Sequence, residues 1–222
     1  MKIRRNVKDS VFTHLFSIPK YRRELYLSLH PEDANIREDE IESVTLSNIL
    51  SSGLYNDLGI YVKKRLIILV EAQSIWTENI LWRMLYYLAE SYKRKWIEED
   101  LNIYGTKKVY LPLPELYVVY TGNKKVKEEI SLKEEFFTNE ESAVDLRVKV
   151  IISKDEIVKN NMQKETKCDI MQEYIDFVKI YDRNRLSGMN KDEIITKTIE
   201  ECISKNILKD YLKEHESEVR SM

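Results

Sequence analysis

Two carboxylates and an amide stand in the stretch YNDLGIYVKKRLIILVEAQS (55–74): Asp57 in a first apolar run, Glu71 near the end of a second, and Gln73 two residues on. A core strand has no use for an ionised side chain unless a cation compensates it. Taken as a hairpin connected by Lys63, Lys64 and Arg65, the stretch sets Val62 against Leu66 and Asp57 against Glu71. The two acids then share a face with Cβ atoms roughly 4.5–5.5 Å apart. A register shifted by one residue sends them to opposite faces. Two carboxylates side by side repel, and a hard divalent cation resolves the conflict, because Mg²⁺ or Mn²⁺ takes oxygen ligands, often one or two carboxylates plus a substrate phosphate. Alternation puts Gln73 on the Glu71 face, where its amide holds a water or a phosphate oxygen but cannot act as a base. The nucleophile then has to be water activated by the metal. Solvated acids at strand ends, and acids paired with lysine, produce the same spacing.

The elements that must position these residues follow from periodicity. The runs 11–16 and 21–30 read as short helices separated by Pro19, and the acidic stretch 30–44 reads as a connection. Residues 77–100 form the clearest helix, with Leu81, Met84, Leu85, Leu88, Tyr92 and Trp96 in one stripe, Thr77 as N-cap and Glu78 in the first turn. Pro112 and Pro114 exclude helix before the apolar run 116–122, and 124–129 is a charged loop or edge. Residues 144–152 alternate, with Val144, Leu146, Val148 and Val150 facing one way and Asp145, Arg147 and Lys149 the other. Beyond about 155 the chain is helical at 165–185, 192–206 and 207–219. The expected fold is α/β, a small mixed sheet flanked by helices over residues 1–155, with a helical C-terminal extension over 156–222.

Composition bounds the rest. The chain has 222 residues, 43% hydrophobic and 33% charged, enough for a real core and too apolar for global disorder. Cys168 and Cys202 read as reduced core thiols, and His14, His30 and His215 have no metal-ligand spacing. The charged start MKIRRNVKDSVF leaves no secretory signal, and no run of about eighteen apolar residues spans a membrane, so a cytoplasmic location with no membrane partner is expected. A net charge of −2 supplies no general attraction for nucleic acid. The basic residues Lys2, Arg4, Arg5, Lys8, Lys20, Arg22 and Arg23 would supply it locally if they border the site. Lys63, Lys64 and Arg65 suit a hairpin tip that discourages edge pairing. Arg83 suits either a phosphate or an ion pair with Glu71 or a neighbour. Trp76 suits a base stack or, more commonly, the core next to a helix start. There is no Gly-rich phosphate loop and no Ser/His/Asp or Cys/His arrangement.

An aspartate in one strand followed by Glu-x-Gln at the end of the next resembles a variant of the PD-(D/E)xK nuclease motif, whose last position is usually lysine. The segments VKDSVFTHLFS (7–17), NDLGIYV (56–62), LIILVEAQS (66–74), ENILWRMLYYLAESY (78–92), LPLPELYVVYTG (111–122) and ILKDYLKEHESEV (207–219) resemble the Rpn family of recombination-promoting nucleases, also grouped with transposases. The resemblance runs from about residue 7 to the end of the chain, and Glu-x-Gln-Ser with the following helix is its most specific part. It implies a restriction-endonuclease-like core and a Mg²⁺-dependent DNA endonuclease. Asp57 and Glu71 match the metal-binding acids, and Gln73 matches the motif lysine. Asp9 matches an acid of the family's first helix, either completing the metal shell or serving as a helix-end charge. The family often has His where this chain has Ala72, and a small polar residue where it has Trp76. The rival expectation is a catalytically inactive DNA- or protein-binding module on the same fold, with the helical regions available for self-association.

Overall fold

The computed structural model describes residues 7–45, 57–72, 76–122, 124–137, 141–152 and 170–222. In chain order the elements are α1 (Val7–Ser17), α2 (Pro19–Leu29), β1 (Ile41–Thr45), β2 (Asp57–Val62), β3 (Arg65–Ala72), α3 (Ile80–Glu98), β4 (Leu113–Tyr120), β5 (Glu129–Ser131), α4 (Leu132–Phe136), β6 (Arg147–Ile152), α5 (Ile170–Arg185), α6 (Lys191–Ser204), α7 (Lys209–Glu214) and α8 (Glu216–Ser221). The chain is a mixed α/β protein with one six-stranded sheet in the order β1-β2-β3-β4-β6-β5. It divides into two compact units, Met1–Asp39 with Ser153–Met222, and Glu40–Ile152. The expected contiguous division at 155 differs from this in the first 39 residues, which pack with the C-terminal helices.

The unit 40–152 holds the sheet. β1 pairs antiparallel with β2 and β2 with β3, the second pair joined by a two-residue turn that can connect only antiparallel strands. β3 and β4 are parallel, and α3 makes the long crossover that a parallel pair requires. β4 pairs parallel with β6, and β5 closes the far edge antiparallel to β6. Leu66, Ile67, Ile68 and Leu69 of β3 are all fully buried, which explains why this strand reads as an unbroken apolar run. On one face Leu66 and Ile68 join Leu116, Val118, Val148 and Val150 beneath Ile80, Leu81, Met84 and Tyr87 of α3. Pro114 sits within β4 where that strand has β3 as a neighbour but is not yet paired with β6, whose contact begins at Tyr117. Its missing N–H is therefore not missed by the ladder.

Five sequence expectations change here. The β2–β3 connection is two residues, Lys63 and Lys64, and Val62 pairs with Arg65. Lys63 takes the left-handed φ of 53° that such a tight turn demands. The whole hairpin consequently shifts by one residue, and Asp57 opposes Val70, not Glu71. β1 lies in the stretch read as a connection: Ile41 is buried while Glu42 and Ser43 face solvent, as suits an edge strand. β5, at the end of the stretch read as a loop or edge, is the second addition. Finally, α3 starts at Ile80 with Asn79 as cap, and Thr77 instead accepts the Asn79 N–H in the preceding turn at 3.3 Å. The predicted alternation of the last strand holds for Leu146, Val148 and Val150, whereas Val144 precedes the strand and is exposed.

The helical unit has its own core. Pro19 starts α2 at N1, where a missing N–H is harmless. α5 buries residues around most of its circumference, among them Tyr174, Phe177, Val178 and Asn184. α6 opens with a reciprocal capping box between Asn190 and Glu193. The expected helix 207–219 is two helices, α7 and α8, broken at His215. No described helix is long and apolar enough to cross a membrane. Cys202 is a buried free thiol, and Cys168 lies outside the described residues.

Candidate active site around Asp57

Asp57, Gly59 and Tyr61 alternate onto the face of β2 that looks toward α3. The Tyr61 hydroxyl donates to the Ser91 carbonyl at 3.2 Å and so fixes where the helix lies along the strand. From Tyr61 back to Asp57 is about 13 Å of strand, at roughly 3.3 Å per residue. From Ser91 back to Arg83 is about 12 Å of helix, at roughly 1.5 Å per residue. The match brings the Arg83 guanidinium to the Asp57 carboxylate. One nitrogen, Nη2, donates to both Asp57 oxygens, at 3.2 and 3.0 Å. The Asp57 side chain is 1% exposed and that of Arg83 29%.

An anion so enclosed requires a cation beside it. Burial alone would weaken the Arg83 charge. The Asp57 carboxylate, and then Tyr87, outweigh that effect, and the guanidinium pKa ends above its ordinary value. Tyr87, one turn on, is buried in the same place. Burial first, and the Asp57 charge second, push its phenol far up, so it stays neutral. Arg83, Tyr87 and Ser91 therefore make a four-residue-spaced row against β2. In the sequence that row is only a set of polar residues flanking the apolar stripe, and hydrophobic periodicity, which counts apolar positions, does not distinguish Tyr87 and Ser91.

The other predicted residues are placed as follows. Glu71 lies in β3 opposite Val119 of β4, next in chain to the residue that opposes Asp57, so the register sets positions 57 and 71 on opposite faces of the sheet and the expected shared face is not found. Its side chain, and all of Gln73, lie outside the described residues. Asp9 lies in α1, in the other unit, its side chain likewise outside the described part. Arg83 takes the neighbour-pairing alternative. Trp76 takes the core alternative: it is half-buried edge-on against Tyr120 at 5.2 Å, and its indole N–H donates to Glu78 at 3.1 Å.

Lys63 and Lys64 occupy the opposite end of β2 from Asp57, and Arg65 pairs with Glu115 at 2.7 Å. Of the N-terminal basic residues, Lys2, Arg4 and Arg5 lie outside the described residues, and three of the others are engaged within their own unit. Lys8 is 2% exposed and bonds Asp182 at 3.0 Å, Arg22 donates to the Ser17 carbonyl, and Arg23 donates to the Ile36 and Ala34 carbonyls. They serve helix and loop closure there, a use that their count in the sequence does not reveal. Among the described residues no three His, Cys, Asp or Glu side chains converge as a metal ion would need.

No protein-family model matches this chain, and neither a curated protein nor a solved structure matches it.

Proposed function

We propose that the chain is a metal-dependent DNA endonuclease whose sheet unit is a restriction-endonuclease-like core. The observation that supports this best is a carboxylate, Asp57, fully enclosed at the first residue of β2 and compensated by a guanidinium from the helix that follows Glu71. The fold demands a positive charge at that point, and a buried acid with no structural need for it is expensive. Carboxylate oxygens suit a hard divalent ion, and Asp57 and Glu71 are the residues proposed to hold Mg²⁺ or Mn²⁺, although the strand register sets their two positions on opposite faces of the sheet. Such an ion, when bound, polarises a phosphate oxygen and activates water.

The chain's own residues then have defined tasks. Asp57, paired with Arg83 in this structure, would hold the ion with its carboxylate oxygens. Arg83, still tethered to α3 and partly open to solvent, turns its planar fork to the scissile phosphate, for which its geometry suits bidentate contact. Gln73 orients the attacking water or the phosphate through its amide. Tyr87, kept neutral, can share a hydrogen with either partner without adding charge. Binding of Mn²⁺ followed by electron paramagnetic resonance tests this reading: affinity that weakens at least tenfold in Glu71→Ala supports it, and unchanged affinity removes Glu71 from the site.

One observation favours a second reading, a nucleic-acid-binding module without catalysis. Arg83 already satisfies Asp57, so the pair is complete without a metal. A gel-shift measurement in EDTA separates the two: DNA binding of equal strength with and without Mg²⁺, and no cleavage in either, belongs to the binding module.

A further inference from the structure

The sheet unit carries an apolar surface at the end of β2 remote from Asp57. Three contacts frame it. The Lys95 ammonium, in the last turn of α3, lies 4.8 Å from the centre of the Tyr61 ring, next to the end of β2. The Tyr92 hydroxyl donates to the Pro112 carbonyl at 2.7 Å, and the Leu113 N–H donates to the Lys64 carbonyl at 2.7 Å. The C-terminal end of α3, the connection 99–112 and the turn at Lys63 and Lys64 therefore meet at one place.

Ile97, Ile103, Tyr104, Tyr110, Leu111 and Leu113, all from this region, are 39–92% exposed. They are six of the ten large hydrophobic residues exposed among the described residues, so the exposure is concentrated here and is not the scatter that any surface shows. Together they offer several hundred Å² of apolar side chain, the scale of one partner's share of a standard interface, about 800 Å². Charges of both signs accompany them. Lys63 and Lys64 in the turn and Lys107 and Lys108 in the connection are exposed, and so are Glu98, Glu99 and Asp100 at the end of α3. The Lys108 ammonium lies 5.1 Å from the centre of the Tyr110 ring, and Lys95 pairs with Glu99.

We infer that a second copy of the chain docks here, in a two-fold dimer that buries the six apolar side chains and sets the lysines of each copy against the acids of the other. A surface of one sign repels its own copy. This one carries four exposed lysines beside three exposed acids, and a two-fold rotation can bring unlike charges together twice. A polynucleotide or an anionic lipid surface would be drawn to the lysines but repelled by Glu98, Glu99 and Asp100, whereas a second copy uses both sets. The four aliphatic side chains offer no face on which a base can stack, but they suit the dry centre of a protein interface. Asp57 is at the other end of β2, so pairing leaves its surroundings open.

Sedimentation velocity of the full chain over a range of micromolar concentrations tests the inference. The wild type should pass from monomer to dimer as concentration rises. Tyr110→Ser with Leu111→Ser should weaken dimerisation at least tenfold, while Leu186→Ser, at an exposed apolar residue of the helical unit, should leave it unchanged. Reversing Lys107 and Lys108 to Glu, or Glu98 and Glu99 to Lys, should each weaken it as well. Mixing those two reversed proteins should restore a dimer, because unlike charges then face one another again. Circular dichroism melting checks that the variants fold, and Tyr104→Ser replaces any that does not. A chain that stays monomeric, a dimer that the surface variants leave intact, or a mixture that does not associate overturns the inference. A monomer whose binding to DNA or to anionic vesicles is lost in the lysine variant also overturns it. None of these results depends on whether the chain cleaves DNA.

Discussion

Asp57 carries two roles that would ordinarily be separate, a proposed metal ligand and the partner of a partly buried arginine. Removing its charge therefore has a cost in stability as well as in chemistry. Asp57→Asn leaves the Arg83 guanidinium without its counter-ion, and we expect a loss of about 2–3 kcal/mol in denaturant unfolding, below the usual range for a buried pair because Arg83 reaches water. The double variant with Arg83→Gln should recover part of that loss; additive losses would show that the two side chains are not coupled.

A second residue-scale expectation concerns His14, whose Nδ1 lies 2.9 Å from the Tyr211 hydroxyl. Burial first, then His215, lower its pKa, with Glu218 opposing. A histidine depressed below its unfolded value near 6.5 costs stability once the pH falls through that value. Glu24 and Glu173, raised in the fold, work in the other direction at lower pH. Comparison with His14→Gln isolates the histidine: the wild type should lose more stability between pH 7 and 5.5 than the variant, and parallel curves would remove His14 from the account. At this scale the sequence pointed to Asp57 from its type and setting alone. The partner of Asp57 was not legible, because it depends on how α3 lies along β2, which the Tyr61–Ser91 bond decides.

An element is legible in the sequence where its own pattern is strong. β3 and α3 were legible because one is an unbroken apolar run and the other a stripe of long period. β1 was not, since an edge strand with Glu42 and Ser43 outward has little apolar signal, and its pairing with β2 supplies what its sequence lacks. The hairpin register turned on a single dihedral. Lys-Lys-Arg has no glycine or asparagine to announce a two-residue turn, and nothing local requires Lys63 to go left-handed. Tertiary pairing across β2 and β3 makes the choice. Lys63→Gly should then stabilise the chain by about 0.5–1 kcal/mol, as relief of left-handed strain exceeds the added entropy of the unfolded state. Thermal and urea unfolding would show this, and a destabilised variant would contradict the turn.

At the scale of the whole molecule, order in sequence is a poor guide to partnership in space. The first 39 residues belong with the last seventy, and the change of character near 155 marks only one of the two crossings. Helical periodicity says that α1 and α2 have apolar faces but not which faces they meet. The sheet unit, in contrast, is continuous in sequence and has its own buried cluster from Leu66 to Val150. We expect the fragment 40–152 to fold alone, with a cooperative thermal transition and native-like circular dichroism; a chain without a transition would mean that the sheet depends on the helical unit. The basic residues Lys8, Arg22, Arg23, Arg65 and Arg83 are all engaged in contacts within their own units.

The most direct test of the proposed activity is nicking of supercoiled plasmid by the purified chain in Mg²⁺, in Mn²⁺ and in EDTA, beside Glu71→Ala, which leaves the Asp57–Arg83 pair in place. Metal-dependent nicking that disappears in EDTA and in the variant is the predicted result. No nicking with either metal, or equal nicking by the variant, would contradict the metal-dependent site at Asp57 and Glu71.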